Sequence, residues 1–148
     1  MTKLILLVED NPSDEKLALL AFKRAGVPCE IAVARDGADA LDYLFATGKH
    51  EDRDPMALPA LILLDLKMPR ISGLEVLRRI RAAPETRLLP VVVLTASRED
   101  EDLISAYSLG ANAYLRKPVD FAEFSEAARA LGAFWLRYNE LAPVVRGA

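Results

Sequence analysis

The sequence predicts a doubly wound α/β domain of five strand–helix repeats, with one five-stranded parallel sheet and a C-terminal extension. Three observations predict it. Short runs rich in Val, Ile and Leu carry little polar alternation, as suits strands buried on both faces. Stretches of helical apolar periodicity separate those runs. Glycines and capping residues punctuate the boundaries. Strand then helix, repeated, requires parallel pairing through right-handed crossovers, with helices on both faces of the sheet.

Taken in order, the first strand is predicted at Leu4–Val8. The first helix spans Ser13–Arg24, with Leu17, Leu20 and Ala21 inward, Ser13 as N-cap and Gly26 just past its end. Ile31–Ala34 forms the second strand, and a helix over Ala38–Ala46 follows Asp36 as its cap and stops before Gly48. Residues 49–59 then make a connection longer than the usual about 2–6 residues, either a partner-recognition loop or a tolerated insertion. His50 lies there among Lys49, Glu51, Asp52 and Arg53 and reads as a solvated loop histidine. The third strand is Leu61–Leu64, followed by a helix over Leu74–Ala82 with Ser72 as cap. The fourth is Val91–Leu94, with a helix over Asp100–Leu109 that ends at Gly110. A weaker fifth strand, Ala113–Leu115, leads to a last helix from Phe121 to the neighbourhood of Tyr138.

Composition narrows the function. At 148 residues and 52% hydrophobic content the chain can fill one core. Its 22 acidic and 19 basic residues are mixed, without the basic stripe of a nucleic-acid binder. No apolar run approaches the about 20 residues of a membrane span, and Met1-Thr2-Lys3 leads into a strand without a signal-peptide pattern, so a cytoplasmic protein is expected. Cys29, the single cysteine, excludes an internal disulfide or a thiolate cluster and reads as a small core residue.

In doubly wound sheets the chemistry gathers beyond the carboxyl ends of the strands. There the first strand ends in Glu9-Asp10, the third in Asp65, the fourth in Thr95 and the fifth in Lys117-Pro118. Singly, each has a plain reading, because acidic residues after a strand often cap the next helix and Lys-Pro often only turns the chain. Together, three carboxylates stacked at one sheet end repel one another, and an oxygen-seeking divalent cation such as Mg²⁺ offsets that repulsion.

With these positions placed, the chain from about Lys3 to Leu131 resembles the receiver domain of two-component response regulators, a flavodoxin-like fold. The resemblance rests on Ile5–Pro12, Leu63–Leu77, Val93–Ala96 and Tyr114–Pro118. It implies that Asp65 accepts a phosphoryl group from a histidine kinase, that Glu9 and Asp10 hold Mg²⁺, that Thr95 is the switch hydroxyl, and that Lys117 contacts the phosphate. It also implies a cis Lys117–Pro118 peptide. Phosphoryl transfer needs positioning and positive charge, which Mg²⁺ and Lys117 would supply. Asp10, Asp65 and the backbone carbonyl of Lys67 are the expected protein ligands, with Glu9 direct or through water, and Asp65 is nucleophile as well. The Lys67 side chain can turn to solvent, while Met68-Pro69 and Gly73 would fix the loop, the glycine allowing a tight or φ-positive bend. Displacement of Thr95 would let Tyr114 turn inward and couple Asp65 to the face made by the fourth helix, fifth strand and fifth helix. An ordinary half-buried tyrosine is the alternative.

Two other classes share the architecture. An aspartyl-phosphatase-like hydrolase needs a second aspartate two positions after the nucleophile, where Lys67 stands. A flavodoxin-like FMN carrier needs a Ser/Thr/Gly phosphate loop where Glu9-Asp10-Asn11-Pro12 would repel phosphate. The expected protein is therefore a phosphoacceptor switch and not an enzyme, although a phosphate sink without output has the same residues. The domain is expected over 1–131, with 132–148 an extension of the last helix and an apolar tail too short for an effector domain. That tail and the long loop resemble the single-domain regulators that partner phytochrome-type histidine kinases. Phe134, Tyr138 and Leu141 fall on one helical stripe and Trp135 begins another, so a homodimer through this segment is expected, the alternative being a tail folded onto its own domain.

Overall fold

The structure, a computed structural model, describes residues 2–143; the remainder of the predicted tail, 144–148, lies outside the described residues. Its elements are β1 (Lys3–Val8), α1 (Pro12–Ala25), β2 (Cys29–Ala34), α2 (Gly37–Phe45), β3 (Leu61–Leu64), α3 (Gly73–Ala82), β4 (Val91–Thr95), α4 (Asp100–Ser108), β5 (Ala113–Arg116) and α5 (Phe121–Leu131). All five strands pair in parallel in the order β2-β1-β3-β4-β5. The chain steps to one side of β1 for β2 and to the other for β3. That reversal opens a crevice beyond the carboxyl ends of β1 and β3.

Alternation along the strands builds two cores. Ile5, Leu7, Leu61, Leu63, Val92 and Leu94 face Ala18 and Phe22 of α1 and Phe124 and Ala128 of α5. Leu6, Val8, Ile62, Leu64 and Val91 face Ala40 and Leu44 of α2 and Val76, Leu77 and Ile80 of α3. Every residue of β3 and β4 is buried, which explains why those strands read as unbroken apolar runs. A smaller cluster of Leu66, Val93 and Ala106 seats α4, with Tyr114 against it.

Helix ends correct several sequence expectations. The N-cap of α1 is Asn11, not Ser13: its side chain accepts from the Ser13 and Asp14 amides, and Pro12, lacking an N–H, takes the first helical position. Asp36 and Ser72 do cap α2 and α3, and Gly26 ends α1 in the left-handed region. The left-handed residue after α2 is Ala46, with Gly48 two residues on opening a short 3₁₀ turn. The last helix runs to Tyr138 as predicted, but Gly132–Tyr138 winds as a π-helix, and the Asn139 amide donates to the Phe134 carbonyl at 2.7 Å. Gly132 itself is fitted against β2's approach, because a Cβ there would lie 2.6 Å from Val27 Cγ1.

Candidate functional site

Strand ladders extended by one residue fix the acidic cluster. The Glu9 amide donates to the Ala34 carbonyl at 3.0 Å and the Asp65 amide to the Val8 carbonyl at 3.1 Å, so both carboxylates are held at the rim of the sheet. Glu9 and Asp65 are buried, Asp10 is half-buried, and Thr95, the last residue of β4, is fully enclosed. The expected cluster is present: Glu9, Asp10 and Asp65 can each offer an oxygen within 4.8 Å of the others. An all-carboxylate donor set of this kind suits a hard divalent cation.

Lys117 enters from beyond β5. Its Nζ lies 2.7 Å from Glu9 Oε1, 2.8 Å from Asp14 Oδ2 and 3.3 Å from Asp65 Oδ2. Burial pushes the Glu9 carboxyl up to about 7; the Asp65 charge adds to that rise, and Lys117 opposes it. Burial also disfavours the Lys117 ammonium, but hydrogen bonds to Asp14 and Glu9 and the charge of Asp65 outweigh it and hold the amine above the ordinary lysine range. Contrary to expectation, Lys117–Pro118 is trans. The lysine reaches the crevice because its amide continues the β5 ladder, donating to the Thr95 carbonyl at 2.8 Å.

The loop after β3 closes one side. The Lys67 amide faces Asp65 Oδ1 at 3.4 Å, and the Gly73 amide donates to the Leu66 carbonyl at 3.0 Å. Gly73 is needed for close approach: a Cβ would press on the Asp65 carbonyl oxygen and lie 2.7 Å from Leu66 Cα. The φ-positive bend in this loop falls instead on Arg70, at 65°. Lys67 turns its ammonium to Asp102 Oδ2 at 3.0 Å and, more distantly, to Glu99. Tyr114 is half-buried, and its hydroxyl donates to the Ser97 carbonyl at 3.4 Å.

The structure departs from the sequence expectation at three places. Asp14 was not among the expected site residues, yet it is one of the lysine's partners. His50 is not a free loop histidine: Nε2 lies 2.7 Å from Asp39 Oδ1 on α2, with the Tyr43 ring edge-on and Arg53 stacked on that ring at 3.8 Å. In the tail, Trp135 and Leu136 pack toward the core while Phe134 and Tyr138 are exposed. Leu141 leaves the Phe134–Tyr138 stripe, because the helix ends at Tyr138 and Asn139 is extended. Leu141 and Pro143 then line a crevice with Met56, Leu58, Leu88 and Pro90, so this stretch lies against its own domain.

Fold and site together define a parallel α/β domain with a lysine set among carboxylates at its topological switch point. The chain belongs to the response regulator receiver domain family, whose model matches residues 5–129. It is 41% identical to the "Probable methanogenesis regulatory protein FilR2" of Methanothrix harundinacea over 92% of this chain and 85% of that protein. It is 37% identical to "Response regulator Rcp1" of Synechocystis sp. over 90% of this chain and 89% of that protein. The crystal structure of the Mn²⁺-bound form of Rcp1 superposes with a TM-score of 0.84 at 36% identity, covering 95% of this chain and 99% of that one. The bacteriophytochrome response regulator RtBRR is 48% identical, with a TM-score of 0.78, over 97% of this chain and 86% of that one. Among the described residues no helix is long and apolar enough to cross a membrane.

Proposed function

We propose that this receiver accepts a phosphoryl group on Asp65 from a histidine kinase and works as a single-domain switch in the cytoplasm. The observation that carries this is the convergence of Lys117 on Glu9, Asp14 and Asp65, beside the three-carboxylate cluster, at the switch point of the sheet. Asp65 Oδ2 offers its lone pair to the phosphorus of the donor, and the donor's nitrogen leaves with the electrons of the broken P–N bond. Lys117 neutralises charge on the transferred oxygens, and Thr95, enclosed one strand away, offers a hydroxyl to one of them. Mg²⁺, held by Asp10, Asp65 and the Lys67 carbonyl with Glu9 direct or through water, would add positive charge on the oxygens. The oxygen donors fit Mg²⁺, and a relative bound Mn²⁺, an ion of similar ligand preference.

Likeness to RtBRR, a bacteriophytochrome response regulator, supports a phytochrome-type histidine kinase as the donor. The receiver spans 1–131 and the extension 132–148. Phe134 and Tyr138, exposed beside the inward Trp135, support a homodimer through this segment, without Leu141, which lies against its own domain. Labelled phosphotransfer from a purified phytochrome-type kinase tests the reading. Wild type should take the label within minutes and Asp65→Asn should not. Transfer from an unrelated kinase only would overturn the phytochrome assignment, and steady multiple turnover of phosphomonoesters would favour a hydrolase.

A further inference from the structure

One buried carboxylate in this region lies outside the acidic cluster. Asp102, in the first turn of α4, is 8% exposed. Its Oδ2 accepts from Ser97 Oγ at 2.5 Å and lies 3.0 Å from Lys67 Nζ. Lys67 stands two residues after Asp65 and Ser97 two residues after Thr95, so one carboxylate ties the loops after β3 and β4 to α4. A buried carboxylate must keep such partners, because an unpaired one is costly.

Ser97 is the joint of this network. Its amide faces Thr95 Oγ1 at 3.4 Å, its carbonyl accepts from the Tyr114 hydroxyl at 3.4 Å, and its own hydroxyl receives the Glu99 amide at 3.3 Å. These three contacts are long for hydrogen bonds, whereas the Ser97–Asp102 bond is short. The loop is thus anchored at Asp102 and only lightly held where it meets Thr95 and Tyr114. Tyr114 points to the Ser97 carbonyl.

We infer that Asp102 is a positioning residue: with Lys67 it holds Ser97 where its carbonyl receives Tyr114, and so biases the receiver toward the inward-tyrosine arrangement before phosphorylation. This rests on the assignment of Asp65 as acceptor and Thr95 as its hydroxyl partner. A contact that favours one arrangement raises the apparent affinity of any ligand that selects it, by the factor by which it raises the population of that arrangement.

The test uses beryllofluoride with Mg²⁺ as a phosphoryl mimic on the full chain, and fluorotyrosine NMR to follow Tyr114. Asp102→Asn should bind beryllofluoride roughly fivefold more weakly. Its Tyr114 resonance should move toward that of a solvent-exposed ring even without ligand. Ser97→Ala, which leaves the Lys67–Asp102 pair intact, should shift both readouts the same way by less, and it stands in should Asp102→Asn not fold. Unchanged affinity together with an unmoved Tyr114 resonance in either folded variant would overturn the inference. Failure of wild type to bind beryllofluoride would instead overturn the acceptor assignment, and the Tyr114 resonance alone would then decide whether Asp102 positions Ser97.

Discussion

At each end of the sheet a half-buried cationic side chain is held, in opposite surroundings. At the carboxyl ends of the strands, Lys117 stands among Glu9, Asp14 and Asp65, with Asp10 close by. At the amino ends, Arg81 from the last turn of α3 donates to the main-chain carbonyls of Gly110, Arg87 and Leu89 and to the Asn112 side chain, all between 2.7 and 3.0 Å. Asn112 in turn exchanges bonds with the Val91 main chain, and Thr86 closes the same turn onto the Ile80 carbonyl. The foot therefore satisfies a charge with neutral dipoles and gains nothing from a ligand. The crown carries more negative charge than its lysine can balance, a state that a divalent cation relieves. Folding stability and chemistry are thus placed at opposite ends of the same strands.

The sharpest way to break this comparison is at the foot. Arg81→Met should cost about 2–4 kcal/mol, since three carbonyls lose a charged donor at once. Urea unfolding measures the loss, and the fraction of folded protein that takes up phosphoryl label should stay near wild type. A crown substitution should have the opposite sign: Mg²⁺ should raise the melting temperature of wild type, and Asp10→Asn should stabilise the metal-free chain by about 0.5–1 kcal/mol and abolish that rise. If Mg²⁺ raises both melting temperatures equally, the cation sits elsewhere. A change of pH acts on the crown as well. The Glu9 carboxyl lies near 7 in the fold against its usual 4.5, so the folded state holds the proton more tightly than the unfolded one. Its contribution to stability is present in full below 4.5 and is lost as pH rises through about 7. Metal-free protein should lose stability across that window and Mg²⁺ affinity should grow across it, with both slopes absent in Glu9→Gln.

How legible each end was follows from where its interactions lie in sequence. β3 and β4 are legible because both faces are covered, and Glu9, Asp10, Asp65, Thr95 and Lys117 are legible as the residues at the carboxyl ends of β1, β3, β4 and β5. Asp14 was not: it sits in an ordinary acidic first turn, Asp14-Glu15, and only the folded chain brings it to a lysine 103 positions away. The sequence neighbours of His50 are polar, whereas its partner in the fold is Asp39 on α2. A 3.6-residue spacing places Leu141 on a stripe that π winding and an extended Asn139 interrupt. The Asn11 cap was available to reading, since Asn before Pro at a helix start is a capping signal that Ser13 obscured.

The crown's unbalanced carboxylates are proposed to make Asp65 an acceptor. Intact-mass measurement after incubation with a small phosphodonor and Mg²⁺, followed by peptide mapping, tests it most directly. One phosphoryl group should be gained by wild type and mapped to Asp65, with none gained by Asp65→Asn or when Mg²⁺ is chelated. Labelling that persists in Asp65→Asn, or that maps to another residue, would contradict the account.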